Sequence, residues 1–318
     1  MNVSTMTNLF YEYPKNGENA YVESVRKTHA AGFDVMDFCM CPMQRRETEL
    51  NGDNWKFLVD RIGNEAAKLG VRFTQSHIPY AKNKPNLRKT DEGCEQNEFF
   101  VETSKRCIEI SAMLGVKWAV AHPVTDFDDP TDIERSIAYN HEIYDKYVEQ
   151  ASALGVGIAF ENMADMVQNS MYRRFGTCAS ELRMLIDSFD SQYVGACWDF
   201  GHAYLAYGRE GQLDAMRTLG NRIICTHTHD NYYTKDLHLM PFLGEQCWER
   251  VGQTALHTIP YFGTIDWADA VSALKKIGYG GDFNFELSIC RRLPDELREL
   301  AVKYIYATGR YLVDTYGA

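Results

Sequence analysis

Short apolar runs alternate with amphipathic stretches along the whole chain. The runs VSTMTNL, GFDVMDF, GVRFTQSH, VKWAVAH, VGIAFE, YVGACWD, RIICTHTH and DFNFEL predict eight β-strands. Helix-length segments separate them at residues 19–31, 53–69, 94–114, 131–154, 178–189, 209–220 and 266–277, and a last one, 293–314, follows the eighth strand. Gly32, Gly70, Gly115 and Gly155 stand just before strands, where a helix end favours a left-handed residue. No Pro/Gly/Ser-rich linker or composition shift divides the series. The pattern therefore predicts an α/β protein with a single (β/α)8 TIM barrel over residues 1–318. The competing arrangement is an open, doubly wound sheet.

One connection breaks the rhythm. Residues 230–263, after strand seven, far exceed the usual βα loop of about 2–6 residues. This loop insertion holds HLMPFLG at 238–244 and HTIPYFG at 257–263, two copies of a loose H-x-x-P-x-x-G pattern. It reads either as a surface excursion or as a lid over the barrel mouth. Phe242, Trp248, Tyr261 and Phe262 favour the lid.

Composition narrows the function. The formal net charge of −11 argues against a nucleic-acid partner. No apolar run is long enough to span a bilayer, and MNVSTMTNLFYEYPKNG lacks the basic start and apolar stretch of a signal peptide. Nine cysteines without a C-x-x-C pair fit reduced thiols and a cytoplasmic location.

The candidate chemistry lies at the strand ends. Glu161, Asp199, His227 and Glu286 are each the first strongly polar residue after an apolar run. Burying carboxylates is costly without a cation or hydrogen-bond partners. The carboxyl ends of barrel strands converge on one face. The four therefore predict a divalent-metal site. Three carboxylates and one imidazole suit Mn²⁺ first, with Mg²⁺, Co²⁺ or Zn²⁺ also accommodated. Strand alternation places Gly157 and Ala159 inward with Glu161, and Gly195 and Cys197 inward with Asp199, which predicts room for an ion. Seven of nine histidines (His77, His122, His202, His227, His229, His238 and His257) fall at or just after strand ends. His227 and His229 share a face. Only one has the depth to join the metal, which leaves His229 for substrate.

The motifs AFENM, WDFGHA, HTHDN and NFEL, in this order, resemble the xylose isomerase-like barrels. That group spans sugar isomerases, ketose 3-epimerases, inosose dehydratases and the endonuclease IV nucleases. The resemblance covers nearly the whole chain and implies a metal site at Glu161, Asp199, His227 and Glu286. It implies an enzyme that removes a proton next to the carbonyl of a sugar or keto-sugar, in isomerisation, epimerisation or elimination. Glu161 and Glu286 are the acid–base pair by this likeness, with His122 and His202 as alternative bases. His77, His202, His229, Asp236 and His238 are the expected substrate contacts. The large subunit of bacterial C-glycoside deglycosidases is a second implied branch. Its members eliminate the aglycone of 3-keto C-glycosides and pair with a small subunit. The missing arginine in HTHDNYYTK, where only Lys235 follows, leans that way, with His122 as base. A trinuclear zinc nuclease is the third branch. It would use HIPY at His77, AHPV at His122, and Asp236 with His238 as further ligands. A homo-oligomer, or a hetero-oligomer with a small second subunit, is compatible with all of these. A non-enzymatic barrel would be expected to lose ligands, and all four are present.

Overall fold

A computed structural model describes residues 1–80, 91–167, 171–233, 255–288 and 293–317. The eight apolar runs form the strands β1 Val3–Met6, β2 Val35–Cys39, β3 Arg72–His77, β4 Trp118–Ala121, β5 Gly157–Glu161, β6 Val194–Asp199, β7 Ile223–His227 and β8 Phe283–Phe285. All pair in parallel, in the spatial order β8-β1-β2-β3-β4-β5-β6-β7. A bridge between Thr228 and Phe285 joins the two ends of that order. Thr228 N donates to Asn284 O at 2.7 Å and Glu286 N to Thr228 O at 3.2 Å. The sheet is thus a closed barrel, and the open-sheet alternative fails.

The helices are α1 Ala20–Ala30, α2 Trp55–Leu69, α3 Asp91–Met113, α4 Ile133–Ala153, α5 Ala179–Ser188, α6 Phe200–Leu219, α7 Trp267–Lys276 and α8 Asp295–Tyr316. The outward residues of the strands and the inward faces of the helices form the main core. A second, smaller core fills the barrel itself, from Val120, Ala159, Cys197 and Cys225 with Trp118 and Ile224 against them.

Three expectations need correction. The first strand stops at Met6, and Thr7–Leu9 turn into a 3-10 helix. The sixth helix begins at Phe200, not at 209. Asp199 caps it by accepting a hydrogen bond from His202 N at 2.7 Å. The sequence pattern found only its second half, because Gly208 breaks the helix with φ 69° and ψ −167°. A side chain at Gly208 would meet the Tyr233 ring at 2.7 Å, so the break also gives Tyr233 its place. The room predicted for an ion at Gly157 and Gly195 is filled. The Trp118 ring lies where a Cβ on Gly157 would be, and Ile224 does the same at Gly195. These glycines accommodate the floor of the barrel, not an ion.

The long connection after β7 starts and returns through one buried carboxylate. Asp230 Oδ1 accepts from Asn231 N (2.9 Å) and Ile265 N (3.1 Å), and Oδ2 from Tyr261 N and Trp267 Nε1 (both 2.8 Å). Its backbone pairs with Thr258. Phe242 and Trp248, invoked for a lid, lie outside the described residues. Tyr261 and Phe262 are about half exposed, and Phe262 meets Tyr304 edge-on.

Candidate metal centre

Glu161, Asp199, His227 and Glu286 end or directly follow β5, β6, β7 and β8, four neighbouring strands. Each offers one ligand atom, and these atoms lie within 4.8 Å of one another. Glu161, Asp199 and His227 are buried, whereas Glu286 keeps 17% of its side chain exposed toward the mouth.

The contacts within the set are close but not satisfied. His227 Nδ1 lies 3.0 Å from Glu286 Oε2 and 3.4 Å from Glu161 Oε2. Neither approach has hydrogen-bond geometry. Glu286 Oε2 and both ring nitrogens of His227 are buried without a hydrogen-bond partner. Buried polar atoms left this way are rare in folded proteins and call for an explanation such as an ion. Three carboxylates and one imidazole, four ligand atoms drawn together, fit a divalent cation in donor type and number.

A surrounding layer fixes these side chains. Glu161 Oε2 faces His77 Nε2 at 3.3 Å and His122 Nε2 at 3.1 Å, and its Oε1 faces His202 Nδ1 at 3.1 Å. Burial pushes the Glu161 carboxyl up, but His227 and His122 outweigh it and hold the group well below the usual carboxylate range. Glu286 behaves alike, with burial opposed and overcome by His227. Asn162 braces Asp199 from β5: Asp199 N donates to Asn162 Oδ1 (2.7 Å) and Asn162 Nδ2 donates to Asp199 O (2.9 Å). Behind His227, Asp37 Oδ2 lies 3.7 Å from Nε2. Asp37 is itself held by Gln75 Nε2 at 2.7 Å and Asn284 Nδ2 at 3.2 Å. A carboxylate behind a ligating histidine orients the ring and raises its basicity.

The histidines divide by access. His77 is buried, with Nδ1 against Ile78 O at 2.7 Å, so a substrate does not reach it in this state. Burial lowers the His77 pKa but Glu161 outweighs it, leaving it raised to about 9. His122 keeps 17% of its side chain exposed beneath Tyr80, whose ring stacks on it at 4.9 Å. Burial lowers its pKa to about 4 despite Glu161. His202 stands on the first turn of α6, and its pKa is raised to about 9 because Asp199 and Glu161 overcome burial. His229 is fully buried, not at an open substrate surface. Its Nε2 lies 3.1 Å from Asp199, and His257 stacks on it at 4.0 Å. Asp236, His238 and Lys235 lie outside the described residues.

Sequence reasoning missed Asp37 and Asn162 as members of the site, and it counted His257 among the seven strand-end histidines without giving it a role. Asp37 carried a signal, a lone acid inside the apolar GFDVMDF. Asn162 follows Glu161 directly. His257 lay in the long connection, where sequence spacing says nothing about distance.

The chain belongs to the xylose isomerase-like TIM barrel family, whose model matches residues 25–302. Among curated relatives it is 28% identical to the uncharacterized protein y4fM of Sinorhizobium fredii, over 49% of this chain and 48% of that one. It is 27% identical to the uncharacterized protein MJ1311 of Methanocaldococcus jannaschii, over 74% and 70%. The chain thus matches about half the length of y4fM. Similar solved structures include a D-tagatose 3-epimerase-like protein, with TM-score 0.68, 19% identity and 100% of both chains covered. The Escherichia coli 3-keto-D-glucoside 4-epimerase YcjR matches with TM-score 0.64 and 14% identity over 96% of this chain and 99% of that one. The IolI protein with a bound zinc atom matches with TM-score 0.65 and 17% identity over 99% and 97%. At these identities the likeness establishes the fold. Among the described residues, no helix is long and apolar enough to cross a membrane.

Proposed function

We propose that the chain is a divalent-metal-dependent enzyme that removes a proton next to the carbonyl of a sugar or keto-sugar. The observation that carries this is the convergence of four strand-end ligands with buried atoms left without hydrogen bonds. Glu161, Asp199, His227 and Glu286 would hold the ion, with Mn²⁺ the best fit to the donor set and Mg²⁺, Co²⁺ or Zn²⁺ acceptable. Bound there, it supplies Lewis acidity toward a carbonyl and a neighbouring hydroxyl.

The chain's own residues do the rest. Glu161 is 1% exposed and faced by three histidines, which suits a fixed ligand better than a mobile base. Glu286 and His122 are both 17% exposed. They stand on β8 and β4, which lie opposite each other in the barrel order. One group on each side of a bound sugar is the arrangement that an epimerisation needs. The proton leaves toward one and returns from the other. Asn162 fixes the main chain of Asp199 through two hydrogen bonds, and the Asp37 carboxylate lies 3.7 Å behind the His227 ring.

A keto-glycoside elimination is the second reading. It is favoured by a cavity of about 130 Å³ beside Tyr80, lined also by Phe99, Phe100 and Arg46. Its aromatic rings offer a stacking surface for a flat aglycone. The test is Glu286→Gln, assayed with ketoses and with 3-keto glycosides. Loss of turnover on every substrate the parent protein accepts is expected. Full activity would sink the assignment.

A further inference from the structure

Strand β2 runs into Cys39-Met40-Cys41, two thiols one residue apart that the proton chemistry above does not use. Cys39 is the last residue of β2 and is buried. Cys41 opens the 3-10 turn Cys41–Gln44 and is partly exposed. We propose that Cys39 and Cys41 form a redox-active dithiol, which a low-molecular-weight disulfide of the glutathione kind closes to a reversible Cys39–Cys41 bridge.

The backbone permits the bridge. Met40 has φ −102° and ψ 10°, a bend that sets the Cα atoms of its two neighbours about 5.5 Å apart, given ~3.8 Å between consecutive Cα atoms. Disulfides span roughly 4.4–6.8 Å between Cα atoms. The bend is held on both sides. Met40 N donates to His77 O at 2.9 Å, and Met40 O accepts from Met43 N at 2.9 Å. Cys39 N donates to Thr7 Oγ1 at 3.1 Å, and Cys39 O accepts from Tyr21 Oη at 2.7 Å. The sulfurs are already in contact. The Cys41 thiol donates to the Cys39 sulfur, which outweighs burial and holds Cys39 below the ordinary thiol range. The same bond, with burial, pushes Cys41 well above it. A pair that shares one proton in this way supplies one thiolate readily, and the thiolate is the form that attacks a disulfide. Cys197 and Cys225 are also neighbours, across β6 and β7, but both are buried in the barrel core, away from any oxidant. The exposure of Cys41 gives the β2 pair its access.

The exchange balances within the pair and the small disulfide. The shared proton passes to Cys39 as Cys41 attacks one sulfur of the small disulfide. The other sulfur leaves as a thiolate with the electron pair of the broken bond. Cys39 then attacks the Cys41 sulfur, and its proton departs with the second small thiol. Two protein thiols are oxidised by two electrons, and one disulfide is reduced to two thiols. The bridge also touches the four-residue centre. Cys41 Sγ lies 3.4 Å from His77 Nδ1, and His77 Nε2 lies 3.3 Å from Glu161 Oε2. Closing the bridge removes the Cys41 proton and draws its sulfur to Cys39, which alters the contact with that ring. This consequence rests on the metal reading, whereas the bridge itself does not.

The test reads the two separately. Reduced full-length protein is equilibrated with mixtures of oxidised and reduced glutathione, and its free thiols are alkylated in denaturant. The mass of the tryptic peptide Thr28–Arg45 is then measured, since it holds Cys39 and Cys41 and no other cysteine. At the oxidised end this peptide should be untagged and two hydrogens lighter than the dithiol, and excess reductant should restore it. In Cys39→Ser the oxidant should leave a glutathione adduct on Cys41. In Cys41→Ser the buried Cys39 should take none. Circular dichroism checks that both variants are folded. A doubly alkylated peptide at the oxidised end, or separate adducts on both sulfurs, overturns the dithiol. Mn²⁺ affinity is then compared between the reduced and bridged forms. The bridged form should bind about 10- to 100-fold more weakly, the range for disturbing a partner behind a metal ligand. Cys41→Ser should bind as the reduced parent does and ignore the oxidant. Equal affinity in the two forms overturns the link to Glu161 but not the bridge. No Mn²⁺ bound by the reduced protein overturns the metal centre instead, and the peptide mass decides the bridge in either case.

Discussion

Replacing Asp230 with alanine should be among the most damaging single changes away from the candidate metal centre. Its buried carboxylate accepts four hydrogen bonds, at 2.8 to 3.1 Å, from Asn231 N, Tyr261 N, Ile265 N and Trp267 Nε1. Alanine leaves those four donors without their acceptor. A hydrogen bond to a charged group contributes about 1.5–3 kcal/mol, but desolvation of the carboxylate offsets several kcal/mol of the sum. The net loss should therefore be about 3–5 kcal/mol, the range for breaking a buried charged network. For 318 residues the entropy of unfolding corresponds to about 0.7 kcal/mol per degree, so the melting midpoint should fall by about 4–8 °C. Asp230→Asn is not a mild substitute, because its NH₂ must point at one of two pairs of donors. It should cost at least about 2 kcal/mol. pH supplies an independent check. Burial raises the Asp230 pKa above its unfolded value, although its hydrogen bonds oppose this. The associated stability is present below the unfolded pKa and is lost as pH rises through the folded one. The difference between parent and Asp230→Ala should therefore narrow as pH rises through that window. Calorimetry at several pH values measures both effects. A midpoint within about 1 °C of the parent at neutral pH would refute the reasoning.

Other outcomes follow from the same contacts. His122→Ala should keep its metal yet lose turnover by about 10²- to 10⁴-fold if His122 moves a proton; loss of metal on elemental analysis would place it in the ligand shell. Gly201→Ala should force the His229 ring away from Asp199 and cost about 1–3 kcal/mol in urea unfolding, and an unchanged midpoint would mean that the ring has room to spare. Glu49, raised by burial although Tyr11 Oη donates to it at 2.7 Å, contributes stability that is lost as pH rises through its folded pKa. Glu49→Gln should therefore gain on the parent from pH 4 toward pH 8, and parallel stability curves would contradict this.

The barrel was legible because strand and helix periods are local properties of the sequence. So was the cluster of four strand-end residues, Glu161, Asp199, His227 and Glu286, since an acid or histidine closing an apolar run is visible without tertiary information. What stayed hidden was set by long-range packing. Gly157 and Gly195 looked like room for an ion and instead admit Trp118 and Ile224, a choice made between neighbouring strands. Asp199 was read as a ligand, but its second task, capping α6, depends on a helix start that Gly208 disguised. The pairing of His229 with His257 joins residues 28 positions apart across a long connection, and no spacing rule reaches that far.

The central claim is metal-dependent proton removal at the four-residue centre. Its most direct test is hydrogen exchange in D₂O, followed by NMR of the proton next to the carbonyl of a keto-sugar substrate. The Mn²⁺-loaded protein should exchange that proton for deuterium. Exchange should stop when the metal is stripped, return when it is restored, and stay absent in Glu286→Gln. Exchange at the parent rate in the metal-free protein or in Glu286→Gln would contradict the account.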